Sequence, residues 1–155
     1  MSTKSHTRSG ALLTEVILET FRLNGRLLSA GDKLVEPLGL TSARWQVLGA
    51  IHSAPSPQPV SWLARNRGLK RQGVQRIVNE LESEGLVSFE PNPHHRRAKL
   101  VVFTKAGRKA YDAATERQIE WVNRLSRDIA ADEMKCALEV MGAMLSRLEA
   151  EPPTD

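Results

Sequence analysis

The chain has 155 residues, 41% hydrophobic and 26% charged, with 22 Lys+Arg against 18 Asp+Glu for a formal charge of +4. Those proportions fit one soluble globular domain, or a small domain with helical extensions, and exclude global disorder and collagen-like repeats. No apolar run approaches the ~18 residues of a membrane span, the polar start MSTKSHTRSG has no apolar stretch of a secretory signal behind it, and a single cysteine, Cys136, fits a reducing cytoplasm.

Residues 1–10 carry no periodic signal and are expected to be a loose tail. From Leu13 the apolar residues recur at helical spacing through Val16, Ile17, Phe21, Leu27, Leu28 and Leu34 until Pro37, with weak points at Gly25 and Gly31. Thr41 is placed to cap a helix carrying Trp45, Val47, Leu48 and Ile51. APSPQP, residues 54–59, reads as a loop. A short helix over Val60–Arg65 is followed by a turn at 66–69 and a second helix from Lys70 to Glu84, closed by Gly85. LVSFE (86–90) and AKLVVFT (98–104) are β-prone and flank the polar PNPHHRR, which predicts a hairpin with a projecting tip. Thr104 then caps a long helix to about Arg127. A last helix carries Met134, Leu138, Met141, Leu145 and Leu148 in a heptad-like seam. Residues 151–155 read as a frayed tail.

The positive charge is concentrated. Residues 65–109 hold 11 Lys+Arg and 4 Asp+Glu, a net +7, while the rest of the chain is net −3. The two helices at the start of this region have helix-turn-helix spacing. Ala64 permits a close crossing, and Gly68 can adopt the positive φ of a tight turn. Leu63, Leu69, Val74 and Ile77 are expected to pack the pair onto the core. On the second helix Val74, Ile77, Val78 and Leu81 form an inner face, and Arg71, Gln72, Gln75, Arg76 and Asn79 the opposite one. Arg, Gln and Asn are the side chains able to pair bidentately with guanine or adenine edges in a major groove. Gly73, in mid-helix, would suit close approach to a phosphate backbone. His94, His95, Arg96, Arg97 and Lys99 make the hairpin tip cationic, suited to the negative potential of a minor groove.

From about residue 12 to 149 the sequence resembles the MarR (multiple antibiotic resistance regulator) family of bacterial transcription factors. The most specific stretches are LTSARWQVLGAI, GLKRQGVQRIVNELESEGLV and NPHHRRAKLVVFTKAG. The resemblance implies a mainly α fold with a small β-hairpin wing. A winged helix-turn-helix DNA-binding lobe would span 41–104, and a helical dimerisation region would span 11–36 and 105–150. Carried over, Arg71, Gln72, Gln75, Arg76 and Asn79 belong to the recognition helix and Arg97 is the wing arginine; Lys70 at the helix start and His94, His95, Arg96 and Lys99 at the hairpin tip complete the expected DNA-binding set. Phe21 and Trp45 fall on helices that border the family's effector pocket. Three positions depart from the family pattern. His95 stands where an Asp often pairs with the wing arginine, Lys70 stands where a Ser or Thr often caps the recognition helix, and no cysteine lies near the N-terminus.

No nucleophile, base and orienting acid have a recognisable spacing, no glycine-rich phosphate loop is present, and the adjacent His94 and His95 are poorly placed to share one metal ion. No enzyme, cofactor or metal is therefore expected. The expected function is sequence-specific double-stranded DNA binding by a cytoplasmic homodimeric regulator, a repressor acting at a pseudo-palindromic operator and released by a small-molecule effector. The alternative is a winged-helix protein–protein adaptor whose basic lobe binds an acidic partner.

Overall fold

The computed structural model describes residues 5–151. Its order is α1 (Arg8–Val35), a 3-10 turn (Glu36–Leu38), α2 (Ser42–Ser53), β1 (Gln58–Pro59), α3 (Val60–Asn66), α4 (Arg71–Ser83), β2 (Val87–Glu90), β3 (Leu100–Phe103), α5 (Lys105–Leu125) and α6 (Ala131–Ala150). This is the mainly helical, small-sheet architecture expected of a winged helix-turn-helix. The first helix begins inside the segment expected to be loose, because Thr7 caps it: its Oγ1 accepts from the Gly10 N–H at 3.0 Å. That expectation is corrected for residues 8–10. Residues 1–4 and 152–155 lie outside the described residues.

Helix α1 runs through Gly25 and Gly31 without a break. Gly31 is where it meets α2. A Cβ there would sit 2.4 Å from Ser42 Oγ, which is buried and donates to the Leu28 carbonyl at 2.7 Å. The start of α2 is capped twice, by Thr41 Oγ1 on the Arg44 N–H and by Asp32 Oδ1 on the Ser42 N–H. Two of the N–H groups that a helix start leaves unpaired are thereby satisfied.

The core gathers Val35 and Leu40 with Val47, Leu48 and Ala50 of α2, Val60, Leu63 and Ala64 of α3, and Val74, Val78 and Leu81 of α4. Val87, Val101 and Ala114 complete it. Ala64 is buried where α3 meets α4, and Gly68 takes φ +62° in the turn between them. Leu69 corrects one expectation: it is 40% exposed. The turn points it outward while its N–H donates back to the Ala64 carbonyl at 2.9 Å.

The predicted hairpin proves to be a three-stranded antiparallel sheet of order β1-β3-β2. The missed strand is Gln58–Pro59, at the end of the stretch read as loop, pairing with Val101 and Leu100. Two residues with a proline carry no alternation to read, and an edge is where a sheet tolerates proline.

Thr104 joins sheet to helix. Its N–H donates to the Leu86 carbonyl at 3.1 Å, its hydroxyl donates to the Gly85 carbonyl at 2.6 Å, and its Oγ1 accepts from the Gly107 N–H at 3.0 Å. Gly107 is buried against the same Leu86 carbonyl, and a Cβ there would lie 1.8 Å from that oxygen.

By its contacts the chain divides into two compact units, up to Gln118 and from Ile119 on, so the boundary falls within α5. The second unit holds the end of α5 and α6. Glu133 Oε2 accepts from the Ala130 N–H at the start of α6, and the heptad-like seam is left open, with Leu138 68% and Leu145 60% exposed. Several apolar side chains of α1 are likewise exposed, Phe21 most of all at 71%. Among the described residues no helix is long and apolar enough to cross a membrane.

Gly107→Ala should destabilise the chain by roughly 2–4 kcal/mol, since the contact it would make is with backbone that cannot rotate away. Urea unfolding monitored by circular dichroism measures this, and an unchanged midpoint would show that α5 does not seat on Leu86 as described.

Candidate nucleic-acid interface

Burial of Val74, Val78 and Leu81 fixes the rotation of α4 about its axis. With 100° between successive residues, the opposite face must point outward. Arg71, Gln72, Arg76 and Asn79 are exposed on that face and Gln75 is half-buried. Two of these side chains are tied to neighbours one turn on. Gln75 Nε2 donates to Asn79 Oδ1 at 2.9 Å, and Arg76 Nη1 pairs with Glu80 Oε1 at 3.1 Å. Lys70 is the N-cap residue and makes no side-chain cap bond, so the first N–H groups of α4 carry no side-chain acceptor from it. A Cβ placed on Gly73 would meet nothing within 4 Å, so nothing inside the chain requires that glycine.

Lys70 is exposed at the start of α4, and the structure sorts the other ten expected interface residues into groups. Arg71, Gln75 and Asn79 of α4 share a groove of about 240 Å³ with Arg97 and Lys99 of the wing, lined also by Ser61 and Phe89. Gln72 and Arg76 lie on the open side of α4, where they line a broader concavity with Arg71, Gln75 and Asn79. His94 and His95 face elsewhere, lining a separate hollow with Trp62 and Arg65. Arg96 is exposed and lines none of these three surfaces. The His95 ring does not take the place of an aspartate beside Arg97. Its bonds within the wing are those of its backbone, through its N–H to the Asn92 carbonyl and its carbonyl from the Ala98 N–H.

Several basic residues of the same region serve the scaffold instead. Arg67 donates to Ser53 Oγ at 2.9 Å, fixing the turn before α4 to the end of α2. Arg108 lies 4.5 Å from the centre of the Phe103 ring and donates to His52 Nδ1 at 2.6 Å. Since a guanidinium can only donate, that nitrogen must be the acceptor. Arg44, largely buried, pairs with Glu84 at the end of α4 and donates to the Gly39 carbonyl.

Trp45 and Phe21 are not brought together within the chain. Trp45 packs against the core near Gly31, and Phe21 stands ten residues, about 15 Å, back along α1. One residue escaped the sequence reading. Asn92, half-buried at the base of the wing, donates from Nδ2 to the Ala98 carbonyl at 2.8 Å and accepts at Oδ1 from the His94 N–H at 3.0 Å. The signal was the Asn92–Pro93 pair, a turn-initiating combination.

Residues 38–98 match the model of the MarR family. Over 141 residues the chain is 34% identical to an uncharacterized protein of Mycobacterium tuberculosis, covering 91% of this chain and 97% of that one. The chain belongs to the MarR family of DNA-binding transcription regulators. It is also 29% identical to the transcriptional activatory protein BadR of Rhodopseudomonas palustris, over 70% of this chain and 63% of that protein. Among solved structures it superposes on CouR of Rhodococcus jostii bound to p-coumaroyl-CoA, with TM-score 0.71, 25% identity, and 90% and 95% of the two chains covered. It superposes also on the repressor CouR bound to a 23-mer DNA duplex, with TM-score 0.75 at 22% identity, over 91% and 99% of the chains. Within this MarR fold α3 and α4 form the helix-turn-helix, and β2, β3 and their connection form the wing.

Gly73→Ala should raise stability by about 0.5–1 kcal/mol, because alanine costs less in an exposed helix interior. The same variant should weaken binding to duplex DNA if the gap admits a backbone. Thermal unfolding and fluorescence anisotropy measure the two effects, and a stabilised variant with undiminished binding would remove the close approach.

Proposed function

We propose that the chain is a homodimeric repressor that reads a pseudo-palindromic operator in double-stranded DNA and is released by a small-molecule effector. The observation that carries this reading is the groove shared by α4 and the wing, where Arg71, Gln75 and Asn79 face Arg97 and Lys99. A helix set in a major groove with a wing in the neighbouring minor groove straddles one sugar–phosphate strand, and this groove would receive it. Lys70, Lys99, Arg96 and Arg97, with His94 and His95 at the far side of the wing, meet phosphates and supply the salt-dependent affinity. Arg71, Gln72, Gln75, Arg76 and Asn79 meet base edges. Such a protein works in the cytoplasm, on the nucleoid.

The open apolar seams supply the reason for a dimer. Leu138, Leu145 and Leu148 on α6, and Leu12, Val16 and Phe21 on α1, are exposed. A second copy of the chain would cover them, the terminal helices of 11–36 and 105–150 serving as the dimerisation region and 41–104 as the DNA-binding lobe. Two lobes about 34–36 Å apart would then engage one face of the duplex. CouR, solved both with DNA and with p-coumaroyl-CoA, supports an effector that favours one lobe separation over the other. Phe21 and Trp45 are the residues to test for its pocket in the assembled dimer.

A fluorescein-labelled 30-base-pair duplex of random sequence should bind at micromolar levels or better at low salt, with affinity falling steeply as salt rises. Arg97→Ala should lower the slope of log K against log salt by about 1, whereas Gln75→Ala should relax preference among sequences and leave the slope in place. No binding to any duplex, with capture of an acidic protein instead, would favour an adaptor. In sedimentation the chain should run as a dimer, and Leu138→Glu with Leu145→Glu should yield monomer. A wild-type monomer at micromolar concentration would contradict the assembly.

A further inference from the structure

Among the described residues, Asn92 is the one whose side chain spans the wing tip. The chain between β2 and β3 makes two consecutive turns: the His95 N–H donates to the Asn92 carbonyl at 3.3 Å, and the Ala98 N–H donates to the His95 carbonyl at 3.0 Å. Asn92 and Pro93 open the first turn, where Asn suits the first position and proline, with φ pre-set, the second. Arg96 and Arg97 occupy the two central positions of the second turn and are exposed. Among the described residues neither guanidinium takes part in a hydrogen bond or ion pair. Their own side chains therefore do nothing to hold the tip.

The Asn92 carboxamide holds both turns at once. Oδ1 accepts from the His94 N–H inside the first, and Nδ2 reaches across the second to the Ala98 carbonyl. Only a side chain with a donor and an acceptor on one short planar group does both. An aspartate keeps the acceptor and sets a carboxylate against the Ala98 oxygen, while alanine leaves that half-buried oxygen unpaired.

We propose that Asn92 is the positioning residue of the wing: its carboxamide fixes the double turn that presents Arg96 and Arg97 to the DNA backbone. This rests on the reading of the wing as a DNA contact. It gives the wing a clamp made by an amide at its base, independent of any charge at His95.

The test is a double-mutant cycle on the random-sequence duplex at low salt. Asn92→Ala should lose roughly three- to tenfold in affinity and flatten the salt dependence. Added to Arg96→Ala with Arg97→Ala it should cost less than about twofold, and added to Gln72→Ala on α4 it should keep its full effect. In the DNA-free protein, amide exchange should accelerate at His94 in Asn92→Ala and stay slow in Asn92→Asp, which retains the acceptor. Should Asn92→Ala fail to fold, the uncharged Asn92→Ser, too short to span both turns, replaces it in the cycle, with the same pattern expected. A full loss persisting without the two arginines, or wild-type affinity and salt slope in Asn92→Ala, would overturn the positioning role while leaving DNA binding intact. Failure of the wild-type chain to bind the duplex would overturn both.

Discussion

The rotation of one helix about its own axis governs what this molecule can present to a partner. Val74, Val78 and Leu81 are withdrawn from water on one side of α4. Each buried aliphatic side chain of that kind contributes about 1.5–3 kcal/mol. Turning the helix by even one residue's 100° would expose all three, which is a far larger penalty than any surface contact could offset. The outward display of Arg71, Gln72, Gln75, Arg76 and Asn79 is therefore a consequence of core packing. The ion pair of Arg44 with Glu84 and the bond from Arg67 to Ser53 hold the two ends of the same element.

The wing is positioned by a different kind of constraint. Its central strand, β3, runs directly into Thr104, whose three hydrogen bonds to Gly85, Leu86 and Gly107 lock the sheet against the first turn of α5. Gly107 makes this possible by offering no side chain to the Leu86 carbonyl. The base of the wing and the start of α5 consequently share one rigid joint. That helix continues beyond Gln118 into the second unit.

Helices with strong apolar periodicity or a clear cap are legible in the sequence. Thr41, Thr104, Gly68 and Gly85 mark boundaries that the fold uses, because cap and turn chemistry is local and written in one or two residues. What sequence could not show depends on partners distant in the chain. Gly31 reads as a helix weakness until Ser42 is seen against it, and Leu69 reads as core until the turn swings it out. Gln58–Pro59 becomes a strand only because β3 offers it an edge. Among the interface residues the exposed face of α4 follows from periodicity alone, whereas the separation of His94 and His95 from the groove of Arg97 and Lys99 depends on the path of the wing. Asn92 was hidden for the same reason: an asparagine before proline is common turn chemistry, and its reach to Ala98 exists only in three dimensions.

Recognition by paired lobes makes a geometric demand on DNA that a merely basic surface does not. Selection of bound fragments from a pool of random duplexes, carried through several rounds at rising salt, tests this most directly. The enriched sequences should converge on an inverted repeat whose half-sites are centred about 10 base pairs apart, or a multiple of that spacing. A pool that remains random while its retention falls with salt, or one that converges on a single unrepeated site, would contradict sequence reading by two copies of α4.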